Sequence, residues 1–181
     1  MTLIVIGLVL WCGAHLFKRM APDARAAMGD AGKGVVAVSV VASVVLMVVG
    51  YRGSEFIAVW TPPAFLIHLN NALMVFALYL YAASGMKTAI TGVIRHPQLT
   101  AVKIWAVAHL LVNGDLHSIV LFGGLLAWAV VSVIAINRAQ PDWTRPAPAG
   151  AGREIGAVVG ALVATGAIMA LHNWLGVAPW G

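Results

Sequence analysis

The chain has 181 residues, 61% of them hydrophobic and 9% charged, with a formal net charge of +5. Soluble domains carry about 25% charged residues, so this composition excludes one, and bilayer-length spans of about 20 residues each use up the length. The positive charge sits at the ends of apolar runs, where it orients the chain and meets anionic head groups, and does not point to nucleic acid.

Six spans are predicted. The first is Thr2–Phe17, closed by Lys18-Arg19, and the second is Gly34–Tyr51. The third, Ala64–Ala83, is entered through Trp60-Thr61-Pro62-Pro63. The fourth, Gln98–Asn113, is opened by Pro97, whose missing N–H would have had no partner in a first helical turn. Only Gly114-Asp115 separates it from the fifth, Leu116–Ile136, so the two form a tight antiparallel hairpin. The sixth is Ile155–Leu175. The expected fold is an all-α, polytopic membrane bundle forming one domain over residues 1–181. A cleaved signal peptide is the competing reading of the first span. It is disfavoured because the basic residues follow the apolar stretch and no small-residue cleavage site comes after it.

The basic residues give the topology. Lys18, Arg19, Arg25 and Lys33 lie between spans one and two, Lys87 and Arg95 between three and four, and Arg138, Arg145 and Arg153 between five and six. Against these nine stands only Arg52 in the intervening connections. The positive-inside rule then places both termini on the non-cytoplasmic side of the membrane. Trp60, Trp143, Trp174 and Trp180 suit the interface, while Trp11, Trp105 and Trp128 fall inside spans and line the core or a ligand. In span six, Gly156, Gly160 and Ala164 recur every fourth residue, as do Ala157 and Ala161, a spacing for close helix packing within the bundle. The one cysteine, Cys12, allows no internal disulfide and no thiolate cluster.

All six histidines lie in the spans or at their edges, and an ionisable side chain there normally faces a partner in the bundle. His109 shares a helix face with Trp105 and Asn113. Lys103, in the same span, is either a functional group or a side chain that snorkels to the nearby interface. His15 reads as an interfacial polar residue or a ligand. His96 reads as a helix cap or a head-group contact. His117 has Asp115 beside it, and His68, His117 and His172 form a possible outward-facing polar cluster. No zinc, copper or carboxylate-pair spacing is present. Single histidines on separate helices suit haem b, which takes one axial imidazole from each side.

The stretch from Arg95-His96-Pro97-Gln98 through Lys103-Ile104-Trp105-Ala106-Val107-Ala108-His109-Leu110-Leu111-Val112-Asn113-Gly114-Asp115 to Leu121-Phe122-Gly123 resembles the NnrU family of bacterial membrane proteins. So do Gly13-Ala14-His15, Trp60-Thr61-Pro62-Pro63 and Leu171-His172-Asn173-Trp174-Leu175. The resemblance implies a role in nitrite and nitric oxide metabolism in denitrifying bacteria. The family is also similar to zeta-carotene isomerase, a haem b membrane enzyme. Its two axial histidines match His15 and His109, with Trp105, Asn113 and Lys103 nearby. Three readings follow: a haem b protein that binds nitric oxide or transfers electrons, a haem-dependent isomerase of a carotenoid-like polyene, and a cofactor-free transporter or assembly factor. His109 is expected ~16 Å from the basic end of its span, and His15 close to that end. One haem joins them if the first span continues past Arg19 or the helices tilt; otherwise His68, His117 or His172 is the better partner for His109.

Overall fold

The computed structural model describes residues 1–180. Among these, seven α-helices run in the order α1 (Thr2–Met20), α2 (Pro22–Ala27), α3 (Ala31–Arg52), α4 (Leu66–Met86), α5 (Pro97–Val112), α6 (Leu116–Ala139) and α7 (Ala151–Trp174), with one 3-10 turn at Ala89–Gly92. Five of them, all but α2 and α5, are long and apolar enough to cross a membrane. The six expected spans are all helical, so the chain is a helical membrane bundle. Exposed valines such as Val9, Val38 and Val163 face outward from α1, α3 and α7, where only lipid suits them.

Two boundaries differ from the sequence reading. Lys18 and Arg19 stay helical and occupy the last turn of α1, where cations complement the exposed carbonyl ends. The basic segment after them also folds into the short helix α2, with Pro22 in its first turn, Asp23 near its N-terminus and Arg25 in its last turn.

Antiparallel pairs build most of the bundle, with α1 and α6 parallel. α1 packs on α3 and α6, α5 packs on α4 and α6, and α7 packs mainly on α4. Close approach of α1 and α3 depends on glycine. A Cβ on Gly50 would stand 2.7 Å from the backbone nitrogen of Ile4, and one on Gly7 would stand 2.9 Å from the Ser43 carbonyl. On α7, Ala157 and Ala161 are buried, as small residues spaced for packing within the bundle should be. One apolar cluster joins Ile4, Leu8, Met47 and Leu125, and a second joins Ala77, Leu80 and Ala101. Trp105 packs against both and so ties the α1–α3–α6 half to the α4–α5 half.

With 16 residues, α5 rises ~24 Å, less than the ~30 Å of bilayer hydrocarbon. Its far end is covered by protein. The connection after α3 lies over the α5–α6 turn: Val59 N and Trp60 N both donate to Gly114 O, and Leu116 N donates to Ile57 O. Non-helical backbone at membrane depth is tolerated only under such cover. Gly114 is required there, because a Cβ would collide with the carbonyl of Trp60.

At the opposite, basic end, the two longer connections are bound together. The Arg95 guanidinium donates to the carbonyls of Gln140, Pro141 and Asp142. Ala89 N donates to Glu154 Oε1, and Ala149 N donates to Lys87 O. Termini and strap share the other end: the N-terminal amine of Met1 donates to Ser54 Oγ, and Asn71 Nδ2 donates to Pro179 O.

Gly114→Ala is therefore expected to destabilise the bundle by about 1–3 kcal/mol, the usual cost of overpacking. A lowered thermal midpoint of the detergent-solubilised protein measures it, with Gly150→Ala, where a Cβ meets nothing within 4 Å, as the control.

Candidate functional site

α6 is the wall on which the two main candidate histidines rest. In α1, the His15 ring lies 4.1 Å from the Trp11 ring and 4.9 Å from Trp128 of α6. In α5, the His109 ring lies 5.1 Å from Trp105 and stacks on Phe122 of α6 at 4.6 Å. Each ring nitrogen Nδ1 is 2.9 Å from the carbonyl oxygen one turn back, Trp11 O for His15 and Trp105 O for His109. A carbonyl only accepts, so Nδ1 carries the proton. The neutral ring then keeps its lone pair on Nε2, the form in which imidazole binds a metal.

The two environments share a sequence pattern that the sequence reading missed. Trp11-Cys12-Gly13-Ala14-His15 and Trp105-Ala106-Val107-Ala108-His109 are both Trp-x-x-Ala-His. The i, i+4 spacing puts indole and imidazole on one helix face and Nδ1 under the indole residue's own carbonyl. Comparing the residues four before each histidine would have found it. α1 and α5 run in opposite directions, and each carries its histidine near its C-terminal end, so the two rings sit at different depths. Their partners on α6, Trp128 and Phe122, are six residues apart, or ~9 Å in rise and about a third of a turn around the axis. α1 reaches Met20, one residue past Arg19. His15 is exposed and His109 half-buried, so neither Nε2 is sealed in the core.

The remaining histidines divide clearly. His172 repeats the motif's hydrogen bond, with Nδ1 donating to Ile168 O at 2.8 Å. His117 is buried against Tyr51, with Nδ1 3.0 Å from Asp115 Oδ1 but without the alignment of a hydrogen bond. The expected contact with Asp115 is thus present, and Asp115 also caps α6 by accepting from Ser118 N at 2.7 Å. The Ser118 hydroxyl shares a 2.8 Å hydrogen bond with Tyr51. This polar knot holds the strap end together. His68 is exposed and makes no side-chain hydrogen bond among the described residues. His96 occupies the N-cap position of α5 but does not cap it with its side chain. Its Nε2 pairs with Asn137 Oδ1 at 2.8 Å, which fastens α5 to α6.

Asn113 donates from Nδ2 to the His109 carbonyl at 2.8 Å, so it closes the end of α5 behind the histidine. Lys103 is half-buried one and a half turns before His109. Beside His15, the indole nitrogens of Trp11 and Trp128 are buried without an acceptor among the described residues, and so is Ser132 Oγ, one turn along from Trp128. Buried donors without partners are uncommon and costly. Among the described residues, no three His, Cys, Asp or Glu side chains cluster as a metal-ion site. The donor set available is imidazole on single helices, next to aromatic rings and free indole N–H groups.

The fold and these rings define a multi-pass helical membrane protein with histidines presented from separate helices around one central helix. The chain matches the family described as NnrU protein over residues 3–179, and it belongs to that family. No curated protein matches the chain. No solved structure matches it either.

Because Trp105 joins the two apolar clusters, Trp105→Ala is expected to cost about 3 kcal/mol, the low end of the range for deleting a buried aromatic side chain. The lower value follows because lipid is as apolar as the core. Denaturation in mixed micelles provides the measurement, and Trp174→Ala, at a position 79% exposed, should change little.

Proposed function

We propose that this NnrU protein carries haem b in a bacterial inner membrane, with His15 and His109 as its axial ligands, and serves nitrite and nitric oxide metabolism. The observation that supports the reading is the paired Trp-x-x-Ala-His turn. Two imidazoles, on two helices that both pack on α6, have Nδ1–H held by their own backbone and Nε2 left free. A backbone acceptor on the far nitrogen fixes the ring and makes it a better ligand. When bound, haem b supplies a one-electron couple and, with one exchangeable axial position, a place for a small diatomic molecule.

The chain's own residues do the rest. Trp11 and Trp128 flank His15, and Trp105 and Phe122 flank His109, so each ring is held at a fixed angle by aromatic contact. The two unpaired indole N–H groups beside His15 offer donors to the polar edge of a bound group. One iron shared by His15 and His109 would be reached from two helices on α6, whose aromatic partners Trp128 and Phe122 are offset by ~9 Å along it. His172, whose Nδ1 is held by its own helix in the same way, is the alternative second ligand.

Protein purified in detergent from haem-replete cells is expected to show a Soret band. His109→Ala should abolish most of it. His15→Ala and His172→Ala then name the partner: the variant that loses the low-spin spectrum has lost the second axial imidazole. A colourless wild-type protein overturns the haem reading.

A further inference from the structure

A second site lies at the basic end, apart from the histidines. The C-terminal turns of α1, the start of α2 and the last turns of α6 enclose an open-sided cleft of about 710 Å³. Leu16, Met20, Pro22, Val131 and Ala135 supply apolar walls, and Lys18, Arg19 and Arg138 supply three cations. No carboxylate, histidine or aromatic ring lines it. The only acid in α2 is Asp23, which follows the lining residue Pro22 but does not itself line the cleft. On α6, the lining residues Val131, Ala135, Arg138 and Ala139 continue the stripe that holds Trp128 and Ser132, whose buried Nε1 and Oγ lack partners.

We propose that this cleft binds one anionic phospholipid from the leaflet at the basic end, with the phosphate among Lys18, Arg19 and Arg138 and an acyl chain against Leu16, Val131 and Ala135. Three features select this occupant. The cations sit at the ends of their helices, at head-group depth. The walls are aliphatic and flexible, which suits a chain better than a planar ring. The cleft opens sideways between spanning helices, where a lipid enters without leaving the bilayer. Basic groups near a membrane surface attract anionic lipid by an amount that corresponds to about fivefold in affinity per Lys or Arg. Three of them acting together should therefore favour an anionic over a zwitterionic head group by about a hundredfold. The proposal does not rest on haem.

The test is native mass spectrometry of the full chain in detergent, titrated with phosphatidylglycerol or with phosphatidylcholine of the same acyl chains. The expected result is one tightly retained phosphatidylglycerol and no comparable phosphatidylcholine. Arg138→Gln should weaken phosphatidylglycerol binding about fivefold, and Lys18→Gln/Arg19→Gln/Arg138→Gln about a hundredfold. Ala135→Phe, which fills the cleft and leaves the charge unchanged, should remove the retained lipid. Arg145→Gln/Arg153→Gln, at the same end but outside the cleft, should leave it bound. Equal retention of the two lipids overturns the proposal. So does an equal loss in the Arg145/Arg153 control, which would mean diffuse surface charge. A Soret band lost from Ala135→Phe with lipid retention unchanged also overturns it, and assigns the cleft to the haem's carboxylates; a Soret band that survives while the lipid is lost separates this site from the haem reading.

Discussion

A hydrogen-bond donor inside hydrocarbon has no water to turn to. Leaving it unpaired costs several kcal/mol, whereas a good internal bond there contributes only about 0.6 kcal/mol on average. The penalty, more than the gain, decides where the imidazoles point. His15, His109 and His172 satisfy Nδ1–H with the carbonyl one helical turn back. That choice orients each ring along its own helix and leaves Nε2 as the free atom. The metal-binding reading depends on this local bond.

The same constraint shapes the backbone. α5 is too short to carry its C-terminal turn to the water on that side, so the turn must be buried by protein. The strap after α3 does this with main-chain bonds to Gly114 O and from Leu116 N. Its contact is possible because residue 114 has no side chain. Asp115 then serves both neighbours, capping α6 and lying against His117. The strap end is thus a compact polar unit in which Asp115 accepts from Ser118 N, the Ser118 and Tyr51 hydroxyls pair, and His117 lies against the Asp115 carboxylate.

The helices on either side of α6 are joined differently from those beyond. Trp105 welds the two apolar clusters, while α7 leans mainly on α4. The contacts of α1 and α5 with α6 include aromatic pairs: Trp11 on Trp128, and Trp105 and His109 on Phe122. At the basic end, the carbonyls held by Arg95 and the His96–Asn137 pair fix α5 against α6. Among the described residues α1 has no such crosslink to α6, and the lined cleft lies at its basic end. Rigidity on the α5 side and an open seam on the α1 side are two consequences of one uneven distribution of polar groups.

The number of spans, their order and their alternation of charge were legible in the sequence, because apolar length and the placement of Lys and Arg are set residue by residue. The contact of His117 with Asp115 and the packing role of Ala157 and Ala161 were also local enough to read. The second half of the Trp-x-x-Ala-His pair was just as local and simply went unmatched. Other features needed the folded chain. The strap over Gly114 and the pairing of His96 with Asn137 join segments between about 40 and 60 residues apart. Nothing in either segment announces the other. The depth offset between His15 and His109 likewise belongs to the tertiary structure, because it is fixed by how far each helix has slid along α6. Hydropathy measures whether a helix belongs in the bilayer; only side-chain packing sets the register at which it stops.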